Sequence, residues 1–276
     1  MTLQYKLLRA LKESHMLDRS EIVCDTDPFV AGDERIENLF QAVERVLPNT
    51  SIDHAILSSR HKWEPVSNRD QLVNDRSFDV ASRQHLTTIF GNGKRNDDMV
   101  TITLGRSSKG EVGKVRKTWT IRVSISNERE STLAILPDLL QATCKSTAAI
   151  NGWAGSFSSL SQISTVQRAH ETTRAHGDVT PKGSERIGEF ANRSMIGRMS
   201  NGFRFEMPLS WVNYWSDPVA RSLDFPNVER DKCLEGLYSE VNNHGWLLKL
   251  TDEPLDLRIP EHIERFTWAY GRFSGR

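Results

Sequence analysis

The fold is decided by residues 99–124, which read MVTITLGRSSKGEVGKVRKTWTIRVS. Apolar and polar side chains alternate over residues 99–104 and again over residues 118–124. This alternation is typical of antiparallel strands that bury one face. The stretch therefore predicts a β-hairpin whose loop covers residues 107–113.

Residues 33–47 predict an α-helix. Apolar side chains recur there at the spacing of one helix face, at Ile36, Leu39, Phe40, Val43 and Leu47. Asp33 is suited to cap the first turn, and Pro48 ends the pattern. A further helix is expected over residues 133–150, with Pro137 early enough to be tolerated near its first turn.

Weaker patterns predict the remaining elements. Further helices are expected over residues 3–17, 80–90, 211–222 and 261–273. Further strands are expected over residues 22–30, 54–58, 237–241 and 246–251, with a strand or packed turn near Trp153 and a long connection over residues 165–200. Interspersed helices and antiparallel strands predict an α+β fold, in which helices pack on one or more antiparallel sheets. We expect a helical extension over residues 1–20 and an α+β domain over residues 21–276, divisible into lobes of about 21–150 and 151–276.

Composition argues for a soluble binding protein. The chain has 276 residues, with 36 Lys and Arg against 36 Asp and Glu. This balance disfavours nucleic-acid binding, which depends on an excess of cations. Charges interrupt the leucine-rich N-terminus, and no apolar run reaches the length of a membrane span. A cytoplasmic location is therefore expected.

Three cysteines, Cys24, Cys144 and Cys233, are scattered along the chain. An odd number without paired spacing disfavours both a disulfide framework and a structural zinc site. All three are expected to be reduced packing residues.

No catalytic motif is complete. Gly91-Asn92-Gly93-Lys94 lacks the glycine and the hydroxyl residue of a phosphate-binding loop. Ser156 lacks the glycines that a nucleophile elbow has two positions before and two positions after its serine. We expect no enzyme activity, no cofactor and no metal. The alternative left open is a hydrolase or nuclease with a site assembled from dispersed residues, namely Asp25, Asp27, His54 and Glu64.

Trp211, Tyr214 and Trp215 would share one face of the helix predicted over residues 211–222. That face is expected to belong to the core. If it were exposed, it would form an apolar surface that favours a homodimer. A homodimer is predicted because the chain has seven tryptophans and eleven phenylalanines, enough for this face to leave an apolar surface that needs covering.

The C-terminal third contains the stretches LSWVNYW (residues 209–215), GWLLKLTDEPLD (245–256) and PEH (260–262), and NGW (151–153) stands upstream. The three C-terminal stretches, and NGW more loosely, resemble the Immunity protein 52 family of bacterial toxin systems. Leu255 stands where that family has phenylalanine, and residues 231–241 look like added sequence. The resemblance implies a shared fold and a protein that binds and blocks a DNA-degrading toxin of type VI secretion inside the producing cell.

Acidic residues are the candidate contacts for such a toxin. A nuclease cleft is basic, and carboxylates can imitate the phosphates that it binds. Two segments of this chain, residues 18–53 and 206–264, carry an excess of acids over bases. The candidates are Asp25, Asp27, Glu34 and Glu37 near the first helix, and Asp252, Glu253 and Asp256 near the last.

Overall fold

The computed structural model describes residues 19–30, 32–48, 50–56, 64–66, 69, 88–92, 100–109, 116–125, 130–156, 195–198, 204–207, 209–242, 245–256 and 259–273. These residues form a ten-stranded sheet in the order β11-β12-β10-β7-β1-β6-β5-β4-β2-β3 and a separate hairpin, β8-β9. Every strand pairing among them is antiparallel. The fold is α+β, as the sequence predicts.

The strands are β1 (Ser20–Thr26), β2 (His54–Ile56), β3 (Glu64–Pro65), β4 (Thr88–Gly91), β5 (Val100–Lys109), β6 (Arg116–Ile125), β7 (Asn151–Ser156), β8 (Met195–Arg198), β9 (Arg204–Met207), β10 (Val212–Ser216), β11 (Tyr238–Glu240) and β12 (Gly245–Lys249). The helices in the described residues are α1 (Glu34–Val46), α2 (Glu130–Ala134), α3 (Leu136–Ser146), α4 (Asp217–Ser222) and α5 (Pro260–Phe273), with a 3₁₀ turn at Lys232–Leu234.

The predicted hairpin is present as β5 and β6. Its pairing runs from Val100 opposite Ile125 to Lys109 opposite Arg116, so the strands extend further than the alternation alone indicates. The inward residues of both strands are fully buried at Ile102, Leu104, Ile121 and Val123. The hairpin therefore supplies the centre of the core.

Helix α1 confirms the prediction from its apolar spacing. The Asp33 side chain caps it by accepting a hydrogen bond of 3.0 Å from the Arg35 backbone N–H. Its apolar face is fully buried at Ile36, Leu39, Phe40 and Val43. Helix α1 packs against α3, which also covers β1, β7 and β10. Both helices therefore cover the same face of the sheet.

Close packing between α3 and the sheet depends on Gly152 in β7. A Cβ atom at this position would lie 2.9 Å from Cys144 Sγ and 3.0 Å from Cys24 Cβ, which is too close. Burial, reinforced by the neighbouring Cys24 thiol, raises the pKa of Cys144. All three cysteines are free, and the packing role is confirmed for Cys24 and Cys144. It is wrong for Cys233, which is exposed.

Two predicted helices contain strands where the structure describes them. Residues 88–91 form β4 instead of the end of a helix over 80–90, because they pair with β5 and β2. Residues 212–216 form β10, and only Asp217–Ser222 is helical. Strand β10 lies between β7 and β12 and is covered on both faces, so its sequence lacks the alternation that marks a half-buried strand.

Trp211, Tyr214 and Trp215 therefore do not share a helix face. All three are buried, as the core interpretation predicts. Trp215 contacts Phe225 and Phe273 edge-on, at ring-centroid distances of 5.0 and 4.8 Å. No apolar surface is left at these residues to favour a dimer.

Other predictions are confirmed or lie outside the described residues. The strand pair β11–β12, helix α5 and strand β7 occupy the predicted positions. The expected helix over residues 3–17 and most of residues 165–200 lie outside the described residues. The sheet includes strands from both sides of residue 150, and the division into an extension and two lobes stays a prediction. None of the described helices is long and apolar enough to cross a bilayer.

Candidate interaction surface

Asp25, the first of the predicted toxin contacts, is buried. It is 4% exposed in the middle of the sheet, where its Oδ1 accepts a hydrogen bond of 2.8 Å from Thr120 Oγ1. Its backbone carbonyl accepts a bond of 2.7 Å from the Ile150 N–H. The expectation that Asp25 is an exposed acid is wrong, because β1 lies inside the sheet rather than at its edge.

The segment between β1 and α1 is held by the Arg35 side chain. Its guanidinium donates to both Asp33 carboxylate oxygens, at 2.6–3.1 Å, and to Thr26 Oγ1 at 3.2 Å. It also donates to the backbone carbonyls of Asp27 and Pro28, at 3.4 and 2.9 Å. A guanidinium offers five N–H donors in a rigid plane, so one side chain can fix several chain segments at once.

The same guanidinium lies 4.7 Å above the ring of Phe29. Phe29 is buried and contacts Trp119 edge-on, at 5.8 Å between ring centroids. The loop after β1 is thus tied to the core by a ring on one side of the guanidinium and by hydrogen bonds at its edge. With these contacts, the described residues of the loop form a platform for the side chains that point outward.

The charge of Asp33 is part of this arrangement. Burial by itself would raise the pKa of Asp33, but hydrogen bonds from the Arg35 side chain and backbone outweigh burial and lower it. Asp33 is therefore ionised at neutral pH and is used internally, as cap and ion-pair partner.

Three side chains around this platform face solvent. Asp27 and Glu34 are exposed, and Val30 between them is 60% exposed. Val30 is one of only two strongly exposed large apolar residues in the described part of the chain. We call Asp27, Val30, Glu34 and Glu37 the acidic corner.

Glu37 differs from Glu34 because its carboxylate already has partners. Glu37 Oε1 accepts a hydrogen bond of 3.0 Å from Gln41 Nε2 and lies 3.7 Å from Arg69 Nη1. Arg69 also pairs closely with Glu44, and the hydrogen bonds that its guanidinium donates to that carboxylate raise the pKa of Arg69 against the effect of burial. Glu34 is therefore the stronger candidate for attracting a cationic partner.

The second predicted group of acids follows β12. Asp252 and Glu253 are exposed in a turn closed by the Thr251 hydroxyl, which donates to the Glu253 carbonyl at 2.6 Å. Asp256 is half-buried, and its backbone N–H donates to His262 Nδ1 at 3.0 Å. These residues connect β12 to α5.

The sheet places the two acidic groups at opposite ends. Strands β1 and β12 run in opposite directions, because β7 and β10 between them alternate. Asp27 follows the last residue of β1. Asp252 follows β12 and lies at the other end of the sheet, past Ser20, the first residue of β1. The seven residues of β1 span roughly 20 Å at about 3.4 Å per residue. The structure therefore does not bring the two groups together in one patch.

The dispersed catalytic set is also separated. Asp25 lies on β1 and His54 on β2, with β6, β5 and β4 between them. Four strand spacings of about 4.8 Å put roughly 19 Å between these strands. His54 Nδ1 instead lies 2.7 Å from Asp53 Oδ1. Asp25, Asp27, His54 and Glu64 therefore do not form one site.

The described residues contain no group of three or more His, Cys, Asp or Glu side chains that could hold a metal ion. The arrangement at the acidic corner offers carboxylates and one apolar side chain on a fixed backbone. Such a surface can bind a partner with a basic, partly apolar complement.

Sequence comparison places the chain in a family. The family described as "Domain of unknown function (DUF5953)" matches residues 31–275. The chain belongs to the DUF5953 family. No curated protein matches it. Kinship with the Immunity protein 52 family, which the C-terminal sequence boxes suggest, stays a prediction for this DUF5953 member.

Among the solved structures that share the fold of this DUF5953 protein is the "Pseudomonas aeruginosa T6SS protein PA0821", with a TM-score of 0.51 and 12% sequence identity. The match covers 93% of this chain and 74% of that chain. At this identity the likeness shows the fold alone.

Sequence reasoning found the acids of the corner but missed the residue that fixes them. Arg35 follows the N-cap by two positions, and an arginine in the first helical turn gives no signal of a contact to the preceding strand. Arg69 was missed for a similar reason, since its partner Glu44 is 25 residues away.

Proposed function

We propose that this protein is an immunity protein that binds a cognate secreted nuclease toxin in the cytoplasm and blocks it, and that it has no enzyme activity of its own. The observation that carries the proposal is the acidic corner: Arg35 holds the backbone while Asp27 and Glu34 remain exposed. A surface whose backbone is already held in place loses less conformational entropy when it binds a basic cleft.

The fold comparison supports the same context. A protein of the P. aeruginosa type VI secretion system shares this fold, and effectors of such systems require protection of the producing cell. The resemblance of residues 209–262 to an immunity family is independent of that comparison. The family resemblance favours protection by binding, and the fold comparison supports a link to type VI secretion.

The direct test is co-expression with the toxin-like gene next to this one in its genome. Wild-type protein should restore growth and co-purify with that toxin. If it does neither, the proposal fails. If growth is restored without a complex, the protein acts by a different route, and binding at the acidic corner is rejected.

Charge reversal locates the surface. Glu34→Lys/Glu37→Lys should slow association with the toxin by about tenfold or more and reduce its dependence on salt, because rim charges steer encounter. Most of this effect should come from Glu34, since Glu37 already contacts Arg69. The matched control is Asp252→Lys/Glu253→Lys, with the same charge change at the opposite end of the sheet.

The two double variants separate the outcomes. Equal slowing by both would mean that net charge, rather than the acidic corner, governs association. Slowing by the control alone would move the interface to the turn after β12. A folded Glu34→Lys/Glu37→Lys variant with wild-type kinetics would remove the acidic corner from the interface.

A further inference from the structure

The outermost strand of the sheet, β11, has no neighbour on its outer side in the described part of the chain. Its residues Ser239 and Glu240 are exposed, and Tyr238 is half-buried. Tyr238 is fixed from the inside by edge-on contacts with Phe225 and Trp246, at 5.3 and 5.9 Å between ring centroids. The strand is therefore held firmly on one side and accessible on the other.

The direction in which the backbone groups of β11 point follows from its hydrogen bonds to β12. The Lys249 N–H donates to the Leu237 carbonyl at 2.8 Å, and the Val241 N–H donates to the Gly245 carbonyl at 2.7 Å. Hydrogen-bonded and non-hydrogen-bonded pairs alternate in an antiparallel ladder. The N–H and C=O groups of Tyr238 and Glu240 therefore point away from the sheet.

The opposite edge of the sheet differs. There the outermost strand β3 contains Pro65, which has no N–H and cannot donate to a further strand. Strand β11 carries neither proline nor lysine, the residues that commonly block an edge. Of the two edges, β11 is the one whose backbone can accept another strand.

We propose that β11 is the interface of a symmetric homodimer, in which it pairs antiparallel with β11 of a second copy. With the two-fold axis at Ser239, Tyr238 of each copy lies opposite Glu240 of the other. Because these are the residues whose backbone groups point outward, the two copies form four hydrogen bonds and the two sheets become continuous.

The side chains favour this register and a second copy as the occupant. Ser239 meets itself at the close, non-hydrogen-bonded position, where a small side chain permits close approach. Glu240 faces the Tyr238 ring rather than another carboxylate, so no like charges lie directly opposite each other. If the two-fold axis lay at Glu240 instead of Ser239, the two Glu240 side chains would lie opposite each other.

Apolar surface lies close to the same edge. The loop after α4 contains Phe225, which lies beside Tyr238, and Val228, which is 83% exposed. A second copy that extends the sheet at β11 would approach this loop. The dimer thus has a source of apolar contact in addition to the four hydrogen bonds.

The test compares Glu240→Pro with Glu240→Ala by light scattering and sedimentation. Wild-type protein should have twice the chain mass of 31.4 kDa at about 100 µM, falling toward one chain mass on dilution. Proline at position 240 removes the backbone N–H that points away from the sheet but no hydrogen bond to β12. It should therefore weaken dimerisation by about tenfold or more. Alanine keeps the donor and should change the dimer constant by less than about threefold.

A second variant covers the case that Glu240→Pro does not fold. Ser239→Lys leaves the strand intact but sets two ammonium groups opposite each other at the axis, so it should also yield monomers. A wild-type protein that stays monomeric at about 100 µM overturns the proposal, whether or not it binds a toxin. A folded Glu240→Pro or Ser239→Lys variant that remains dimeric overturns it equally.

Discussion

Two loops of this molecule are fixed by the same chemistry in different settings. In each, an arginine on a helix pairs with an aspartate and donates to two loop carbonyls, while a valine at the outside of the loop stays exposed. Arg35 holds the loop between β1 and α1, with Val30 outermost. Arg272 near the end of α5 donates to the carbonyls of Leu223 and Asp224, at 3.0 and 2.8 Å, and holds the loop that carries Val228.

The difference between them is burial and distance along the chain. The Arg35 and Asp33 side chains are 25% and 12% exposed and lie two residues apart. The Arg272 and Asp231 side chains are 11% and 1% exposed and lie 41 residues apart. Asp231 also accepts a bond of 2.8 Å from the Asn227 N–H. The Arg35 pair therefore shapes a local loop, whereas the Arg272 pair joins the last helix to the body of the fold.

Replacing Arg272 should have the largest effect. Arg272→Met leaves the Asp231 carboxylate buried without its cation, which should lower the free energy of unfolding by about 3–5 kcal/mol. Urea denaturation measures it. The control is Asp231→Asn/Arg272→Met, which removes both charges and should recover part of the loss; if the double variant is no more stable than the single one, the buried charge is not the cause.

Replacing Arg35 should lower the free energy of unfolding by less than replacing Arg272. Arg35→Met keeps an apolar cover on Phe29 but loses the bonds to Asp33, Thr26 and the loop carbonyls, so we expect a loss of about 1–2 kcal/mol. The same denaturation series measures it beside Arg272→Met. A loss equal to that of Arg272→Met would contradict the distinction between the two loops.

The charge of Asp33 should be visible as a pH dependence. Since its pKa is lowered in the folded protein, its ionised form stabilises the fold above the unfolded value of about 3.9. That contribution is lost as the pH falls through the lowered pKa. Asp33→Asn retains a capping side chain, so it should cost less than about 1 kcal/mol at pH 7, given partial exposure of the pair.

The stability difference between wild type and Asp33→Asn should therefore shrink toward zero as the pH falls from 7 to below the lowered pKa. Thermal unfolding over a pH series measures this difference. A difference that stays constant with pH would show that the charge of Asp33 has no role in the Arg35 contact.

The smallest effects should come from the two exposed valines. Val30→Ser and Val228→Ser remove side chains that contact mainly water, so each should change the free energy of unfolding by less than about 0.5 kcal/mol. Thermal denaturation of both variants measures it. A larger loss at either site would mean that the valine packs inside its own loop rather than facing solvent.

The sequence alone determined the elements whose signals are local. The spacing in residues 33–47 gave α1 and its cap, and alternation gave β5, β6 and the α+β class. It also predicted surface positions for Asp27 and Glu34, which are exposed, and for Glu37, which is half-buried, because a charge off the apolar stripe of a helix or in a loop before proline is visible in the chain itself. These features depend on neighbours within a few residues, where periodicity and capping act.

Tertiary structure decided what depends on distant partners. Trp211, Tyr214 and Trp215 have helical spacing, but pairing of residues 212–216 with β7 and β12 made the segment a strand. Asp25 carries a charge, as surface residues usually do, yet two neighbouring strands bury it. The Arg272–Asp231 pair and the opposite placement of the two acidic groups arise from strand order and direction. Sheet hydrogen bonds and buried ion pairs join residues far apart in the chain, so no short stretch of sequence contains the information that selects them.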